Sequence, residues 1–159
     1  MFYGGRLLSH LTAEDVSEGQ SDIDALIVVR RLNRRLAVLI DSDKRNEGDS
    51  INSTKERVKN ELETHGGICW ITAGREVENY VPGTLMEDAL KLNYPKFERQ
   101  LKSGTFDHVL PFKTNEGKKY EVVDKVRIAK TVCKSSMDIN VLDLKEKVTE
   151  LVKYIRASN

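Results

Sequence analysis

No apolar run in the 159-residue sequence approaches the roughly 18 residues of a membrane-spanning helix. The first residues, MFYGGRLLSHL, lack the long apolar stretch of a signal peptide. Charge of one sign is not in excess: 26 Lys and Arg face 25 Asp and Glu, a formal net charge of +1. The chain is no polycation, so nucleic-acid contact has to come from local patches. Cysteine is scarce. Cys69 and Cys133 sit in apolar surroundings without metal-ligand spacing, which argues against a disulfide scaffold or a zinc ribbon and makes a reducing cytoplasm the default. His10, His65 and His108 show no ligand spacing either. There is no internal repeat, no low-complexity linker and no GxxxxGK[ST] phosphate loop, so the chain is not itself an ATPase. What is present is 39% hydrophobic and 32% charged residues with clear apolar periods. That composition predicts one soluble domain large enough to bury a core, and argues against disorder.

Met1–Tyr3 reads as the end of an extended segment stopped by Gly4-Gly5, as if the chain began inside a domain. Residues 12–21 read as loop, and Asp22 can cap a helix carrying Ile23, Leu26 and Ile27. Leu36-Ala37-Val38-Leu39-Ile40 is a continuous apolar run of strand length, which predicts burial on both faces as in a parallel sheet. Asn52, Ser53 or Thr54 caps a charged helix to about His65, buried only at Val58 and Leu62 and ended by Gly66-Gly67. Ile68–Thr72 is a second strand, which completes a βαβ unit. Thr84 is expected to cap a helix from Leu85 to Leu92. Residues 93–120, with Pro95, Gly104, Pro111 and Gly117, read as irregular, with at most a short helix around Phe97–Leu101. Val122, Val126, Ala129 and Cys133 predict one face of a helix near 121–134, and Leu144, Val148, Leu151, Val152 and Ile155 form a core-facing stripe on the last helix, with oligomerisation as the lesser reading. Trp70 reads as core. The expected organisation is an α/β core over 1–92 with a helical extension, 93–159, packed on it.

The strongest chemical signal is Asp41-x-Asp43 at the carboxyl end of the first strand, where open α/β sheets bind ligands. Alternation along an extended segment would point both carboxylates to one side, where they repel unless a cation joins them. Hard oxygen ligands suit Mg²⁺ or Mn²⁺. The plainer reading is a loop that uses Asp for turns. Glu76-Val77-Glu78 follows the second strand, so four carboxylates can converge on one crevice; alternatively the two glutamates occupy the first turn of a helix. Lys44 and Arg45 flank the acids and are placed to hold phosphates. Arg30, Arg31, Arg34 and Arg35 read as a solvated helix end.

LAVLIDSDK, a helix, and then ICWITAGREVENYV resemble the Toprim (topoisomerase–primase) domain, and more narrowly the endonucleases of the OLD (overcoming lysogenization defect) family. Those proteins join an ABC-type ATPase to a C-terminal Toprim nuclease. The resemblance covers most of residues 1–92 and extends faintly to VDKVRIAK. It implies a Toprim-like, Rossmann-like and mainly parallel sheet flanked by helices, and a metal-dependent DNA endonuclease in the cytoplasm. It makes Asp41 and Asp43 the DxD ligands of Mg²⁺ or Mn²⁺, with Glu76 or Glu78 as a further acidic ligand. Lys125, in VDKVRIAK, matches a basic residue near the site that could stabilise charge on a cleaved phosphate; the plainer reading puts it on the solvated face of an amphipathic helix. The implied partners are DNA and an upstream ATPase segment or subunit, with a homo-oligomer as a further option.

The chain departs from the family at its start. Glu18-Gly19-Gln20-Ser21-Asp22 matches the letters of the E-G-x-x-D element that opens Toprim domains, but no buried strand precedes it. The expectation is that the true element lies upstream of Met1. Two rivals follow. A HAD-type phosphatase would use the first Asp of DxD as nucleophile, but the expected following Gly-Thr is missing. A catalytically incomplete Toprim remnant would serve as an assembly or nucleic-acid-binding module.

Overall fold

The computed structural model describes residues 35–136 and 138–158. The expectations for Met1–Tyr3, Gly4-Gly5, the 12–21 loop, the Asp22 helix, Glu18, His10, Arg30, Arg31 and Arg34 lie outside the described residues. These form two compact units: one takes 35–40, 51–71 and 150–158, the other 41–50 and 72–149. No helix among the described residues is long and apolar enough to cross a membrane.

The first unit holds the βαβ element. Strands β1 (Ala37–Ile40) and β2 (Ile68–Ile71) pair in parallel, Ala37 opposite Ile68 and Ile40 opposite Ile71. Between them runs helix α1 (Ser53–Thr64), whose first turn is capped by the Asn52 side chain accepting from the Thr54 N–H at 2.7 Å. Val58 and Leu62, one turn apart, are its buried residues and meet Cys69, with Val38, Ile40 and Ile71 packed around them. Gly66 ends the helix at φ 75°, a left-handed conformation that a side chain would oppose. Among the described residues, burial of β1 on both faces is not found: exposure alternates, Leu39 is 48% exposed, and α1 packs on the face of Val38 and Ile40.

Among the described residues, the second unit holds most of the buried apolar side chains. A short 3₁₀ turn, Val77–Tyr80, leads to helix α2 (Gly83–Asn93), which begins after Pro82 without the expected Thr84 side-chain cap. Its buried face is Met86, Ala89, Leu90 and Asn93, a helical repeat of three and four. Residues 93–120 are irregular only in part, because three short strands run through them. Strands β3 (Phe97–Gln100), β4 (Phe112–Thr114) and β5 (Lys119–Tyr120) form an antiparallel sheet in that order. The short helix expected at Phe97–Leu101 is thus a strand, and the region beyond residue 92 is not simply helical. Helix α3 (Lys125–Val132) packs on α2, and Phe112, Val109, Leu110, Ile128 and Val132 join Met86, Ala89 and Leu90 in one cluster. The described residues are therefore mixed α/β, with a two-stranded parallel sheet and a three-stranded antiparallel sheet.

Two predicted faces are corrected. On α3 the buried residues are Ile128 and Val132, whereas Val122 is 86% and Val126 64% exposed and Cys133 is also exposed. Val122 precedes the helix, which starts at Lys125 and not near 121, Val126 faces solvent, and the core is reached through Ile128 and Val132. Helix α4 (Leu144–Ser158) has no buried residue, and Val148, Val152 and Ile155 lie open. Its apolar period marks a stripe but says nothing about what covers that stripe. Trp70 is half-buried on β2.

Candidate active site

Every residue proposed for the chemistry lies in the second unit. Asp41 follows β1 directly, and the strand conformation stops there. Four short hydrogen bonds tie the segment 41–44 to 72–77, and a fifth lies within the second segment. The Ser42 N–H donates to Thr72 Oγ1 at 2.8 Å, and the Ser42 hydroxyl donates to the Gly74 carbonyl at 2.7 Å. Thr72 Oγ1 donates to that same carbonyl at 2.8 Å. The Asp43 N–H donates to the Arg75 carbonyl at 2.9 Å, and the Val77 N–H to Asp41 Oδ1 at 2.8 Å. Ser42 and Thr72 are buried, so hydroxyls serve here as internal fasteners.

The same pattern shows why Asp41 and Asp43 are not equivalent. Asp43 sits at φ 57°, a left-handed turn that Asp tolerates better than most residues. The alternation expected of an extended segment therefore does not operate between them. Asp41 is partly buried beside the glutamates, while Asp43 is exposed.

Glu76 and Glu78 stand on the 3₁₀ turn, which is clamped by Asn79. The Asn79 side chain accepts from the Glu76 N–H at 2.7 Å and donates to the carbonyls of Gly104 and Asp107 at 3.2 and 3.1 Å. Gly74 allows this: a Cβ there would stand 2.7 Å from Asn79 Cβ and 2.9 Å from the Thr105 carbonyl. The expectation that the glutamates occupy a first turn is partly met, since Glu76 is the N-cap of the 3₁₀ turn.

The two glutamates have different partners. Glu76 Oε1 lies 2.8 Å from His108 Nδ1. A carboxylate can only accept, so Nδ1 carries the proton. Glu78 Oε1 lies 2.8 Å from Lys125 Nζ. Its other oxygen, Oε2, is buried without a hydrogen-bond partner. Lys125 opens α3 after the cap Asp124, whose carboxylate accepts from the Arg127 N–H at 3.0 Å. Lys125, Ile128 and Val132 recur at helical spacing, so the lysine, itself about half-exposed, sits at the end of the face that Ile128 and Val132 bury. The site receives Lys125 for a different reason than the sequence suggested.

Charges in the crevice act on one another. Burial raises the Asp41 carboxyl above its ordinary range. The Val77 N–H opposes that, Glu78 adds to it, Lys125 opposes, and Glu76 adds. Burial pulls the Lys125 ammonium down, but its bond to Glu78 and the charges of Glu78, Glu76 and Asp41 prevail and hold it above the usual lysine value. Asp41, Glu76, Glu78 and Lys125 are thus within electrostatic reach of each other. Among the described residues, no group of three His, Cys, Asp or Glu side chains is arranged to hold a metal ion as the side chains stand. Lys44 and Arg45 follow in the loop that Asp49 closes, accepting from the Arg45 and Asn46 N–H groups at 2.8 and 2.9 Å.

Sequence reasoning missed His108, Ser42, Thr72 and Asn79. A lone histidine 32 positions after Glu76 carries no spacing signal, and the other three are polar residues whose value lies in burial. No family model, curated protein or solved structure matches the chain.

Proposed function

We propose that the chain is the C-terminal Toprim part of a divalent-metal-dependent DNA endonuclease of the OLD type, hydrolysing phosphodiester bonds. The observation that supports it most is the grouping of Asp41, Glu78 and Lys125, with Glu78 Oε2 buried and unpartnered. A buried carboxylate oxygen without a donor is costly, and a hard cation satisfies it as a proton donor would. The donor set, all oxygen and beside an already perturbed Asp41, fits Mg²⁺ or Mn²⁺ in chemistry. Asp41 and Glu78 are the first candidates to hold it, with Asp43 at the rim. Glu76 is the weaker candidate, because it already accepts from His108. A bound divalent cation would supply Lewis-acid stabilisation and lower the pKa of a coordinated water. Lys125 would bind and orient the scissile phosphate, and Lys44 and Arg45 the flanking ones. DNA as substrate, an upstream ATPase segment and a cytoplasmic setting belong to the same proposal.

The test is Mn²⁺ titration by calorimetry combined with nicking of supercoiled plasmid. The wild-type chain is expected to bind Mn²⁺ weakly and to nick slowly, with nicking lost in EDTA and in Asp41→Asn. No Mn²⁺ binding by the wild-type chain or by Lys125→Gln, together with no Mn²⁺-dependent nicking, overturns the reading. One observation favours a second reading, an incomplete Toprim module that binds nucleic acid or a partner without cutting. Lys125 already neutralises Glu78, so the crevice can persist without a metal. DNA binding that is indifferent to Mn²⁺ would support it.

A further inference from the structure

Helix α3 places the Lys125 ammonium on the glutamate that the metal reading needs most. Glu78 has two oxygens, one on Lys125 at 2.8 Å and the other buried and unpartnered. A cation entering between Asp41 and Glu78 meets a site whose charge is already compensated by an ammonium. Lys125 is about half-exposed at its side chain, while Glu78 is only 13% exposed. The lysine has room to swing outward on its flexible stem, whereas the glutamate is largely buried on a turn whose backbone Asn79 clamps. From this asymmetry we infer that Lys125 is a displaceable internal counter-ion, which competes with the divalent cation for Glu78 and so keeps the cation site closed in the resting chain. The inference rests on the metal reading above and concerns its regulation.

The physical argument has two parts. Two positive charges cannot both sit within contact of one carboxylate without strong repulsion in a partly buried site. The ammonium on Oε1 therefore opposes a cation at the unpartnered Oε2, and the two compete for the charge of one carboxylate. By linkage, any group that draws Lys125 away makes cation binding tighter to the same factor by which the cation favours that group. A phosphate is such a group, since it accepts from an ammonium as the carboxylate does. Metal and phosphate would then enter together, and neither would be held firmly alone.

The experiment is Mn²⁺ titration by calorimetry at fixed pH and ionic strength on residues 1–159. It compares the wild type with Lys125→Gln, Lys125→Met and Arg127→Gln, each checked for folding by circular dichroism. Arg127 is the control for general charge, because it lies on the same helix but bonds Asn93 at 3.0 Å. The two Lys125 variants are expected to bind Mn²⁺ at least about tenfold more tightly than wild type. Arg127→Gln is expected to stay near wild type. Equal or weaker binding by the Lys125 variants overturns the inference while the metal reading stands, and so does an equal gain in Arg127→Gln. No binding by any of the proteins overturns both. The wild type supplies a second measurement that needs no variant: amine acylation followed by mass spectrometry. Saturating Mn²⁺ is expected to raise labelling at Lys125 but not at Lys130. Unchanged labelling of Lys125 under saturation overturns the displacement.

Discussion

The Val77 backbone N–H donates to Asp41 Oδ1 at 2.8 Å across 36 positions of sequence. This one bond brings the acid that ends the first apolar run against the turn that presents Glu76 and Glu78. The donor lies between the two glutamates in sequence, so the bond holds Asp41 against the turn that carries both. It also offsets, without cancelling, the cost of burying the Asp41 charge.

Asp41→Asn is expected to stabilise the metal-free chain at neutral pH. The carboxyl is raised in the folded state, chiefly by burial, so folding favours its protonated form. That contribution is full below the ordinary value of 3.8 and is lost as pH rises through the raised value. Asn keeps an acceptor for Val77 and carries no charge. A rise in Tm on the order of 1–2 °C at neutral pH is expected, shrinking as the pH falls below the ordinary aspartate range. Thermal melts in EDTA at two pH values check the sign, and a lower Tm at neutral pH would contradict it.

Asp41→Asn should weaken Mn²⁺ binding more than Asp43→Asn. Asp41 shares the crevice with Glu78, whereas Asp43 is exposed on a left-handed turn that Asn adopts equally well. Calorimetry on the two variants gives the comparison. Equal losses would restore the two aspartates to the symmetric role that their spacing suggested.

Gly74→Ala is expected to destabilise the second unit by about 1–3 kcal/mol, since overpacking forces backbone movement. The added Cβ would stand 2.7 Å from Asn79 and 2.9 Å from a carbonyl, neither of which is a flexible side-chain end. Urea denaturation reads the loss. An unchanged midpoint would mean that the 3₁₀ turn is softer than its Asn79 bonds imply.

Phe112→Ala is expected to cost about 3–5 kcal/mol. The ring is 1% exposed and lies 4.9 to 5.3 Å from the rings of Tyr120, Tyr94 and Phe97. The same urea series measures it, and a loss below about 1 kcal/mol would show that the cluster is not the core of its unit.

The βαβ element was readable because its signals are local. Val38 and Ile40 follow one another, Asn52 caps the next turns, and Gly66 supplies the left-handed stop. The antiparallel sheet was not readable. Its strands have four, three and two residues, and Phe97 finds Thr114 only through pairing that no local pattern announces. Charged residues such as Glu98 and Arg99 also mask β3 as a loop. In the site, Asp41 and the two glutamates were visible as acids after apolar runs. The inequality of Asp41 and Asp43 was not, because it depends on one backbone angle. On α3 the period was right but the phase was wrong: Val122 and Val126 look like core only until Ile128 and Val132 are seen to occupy it.

Tyr80 has a second consequence. Its buried hydroxyl accepts from the Ala73 N–H at 3.0 Å and donates to Asp143 Oδ1 at 2.5 Å. The Asp143 carbonyl in turn receives the Lys147 N–H at 3.0 Å in the first turn of α4. One phenol therefore ties Ala73 and Asp143, 70 positions apart, into a single opening event that reaches the start of α4. In native-state hydrogen exchange, the Ala73 and Lys147 amides should share one protection factor and one denaturant dependence. Tyr80→Phe should separate them, leaving Ala73 to exchange by local fluctuation while the rest of the turn keeps its protection.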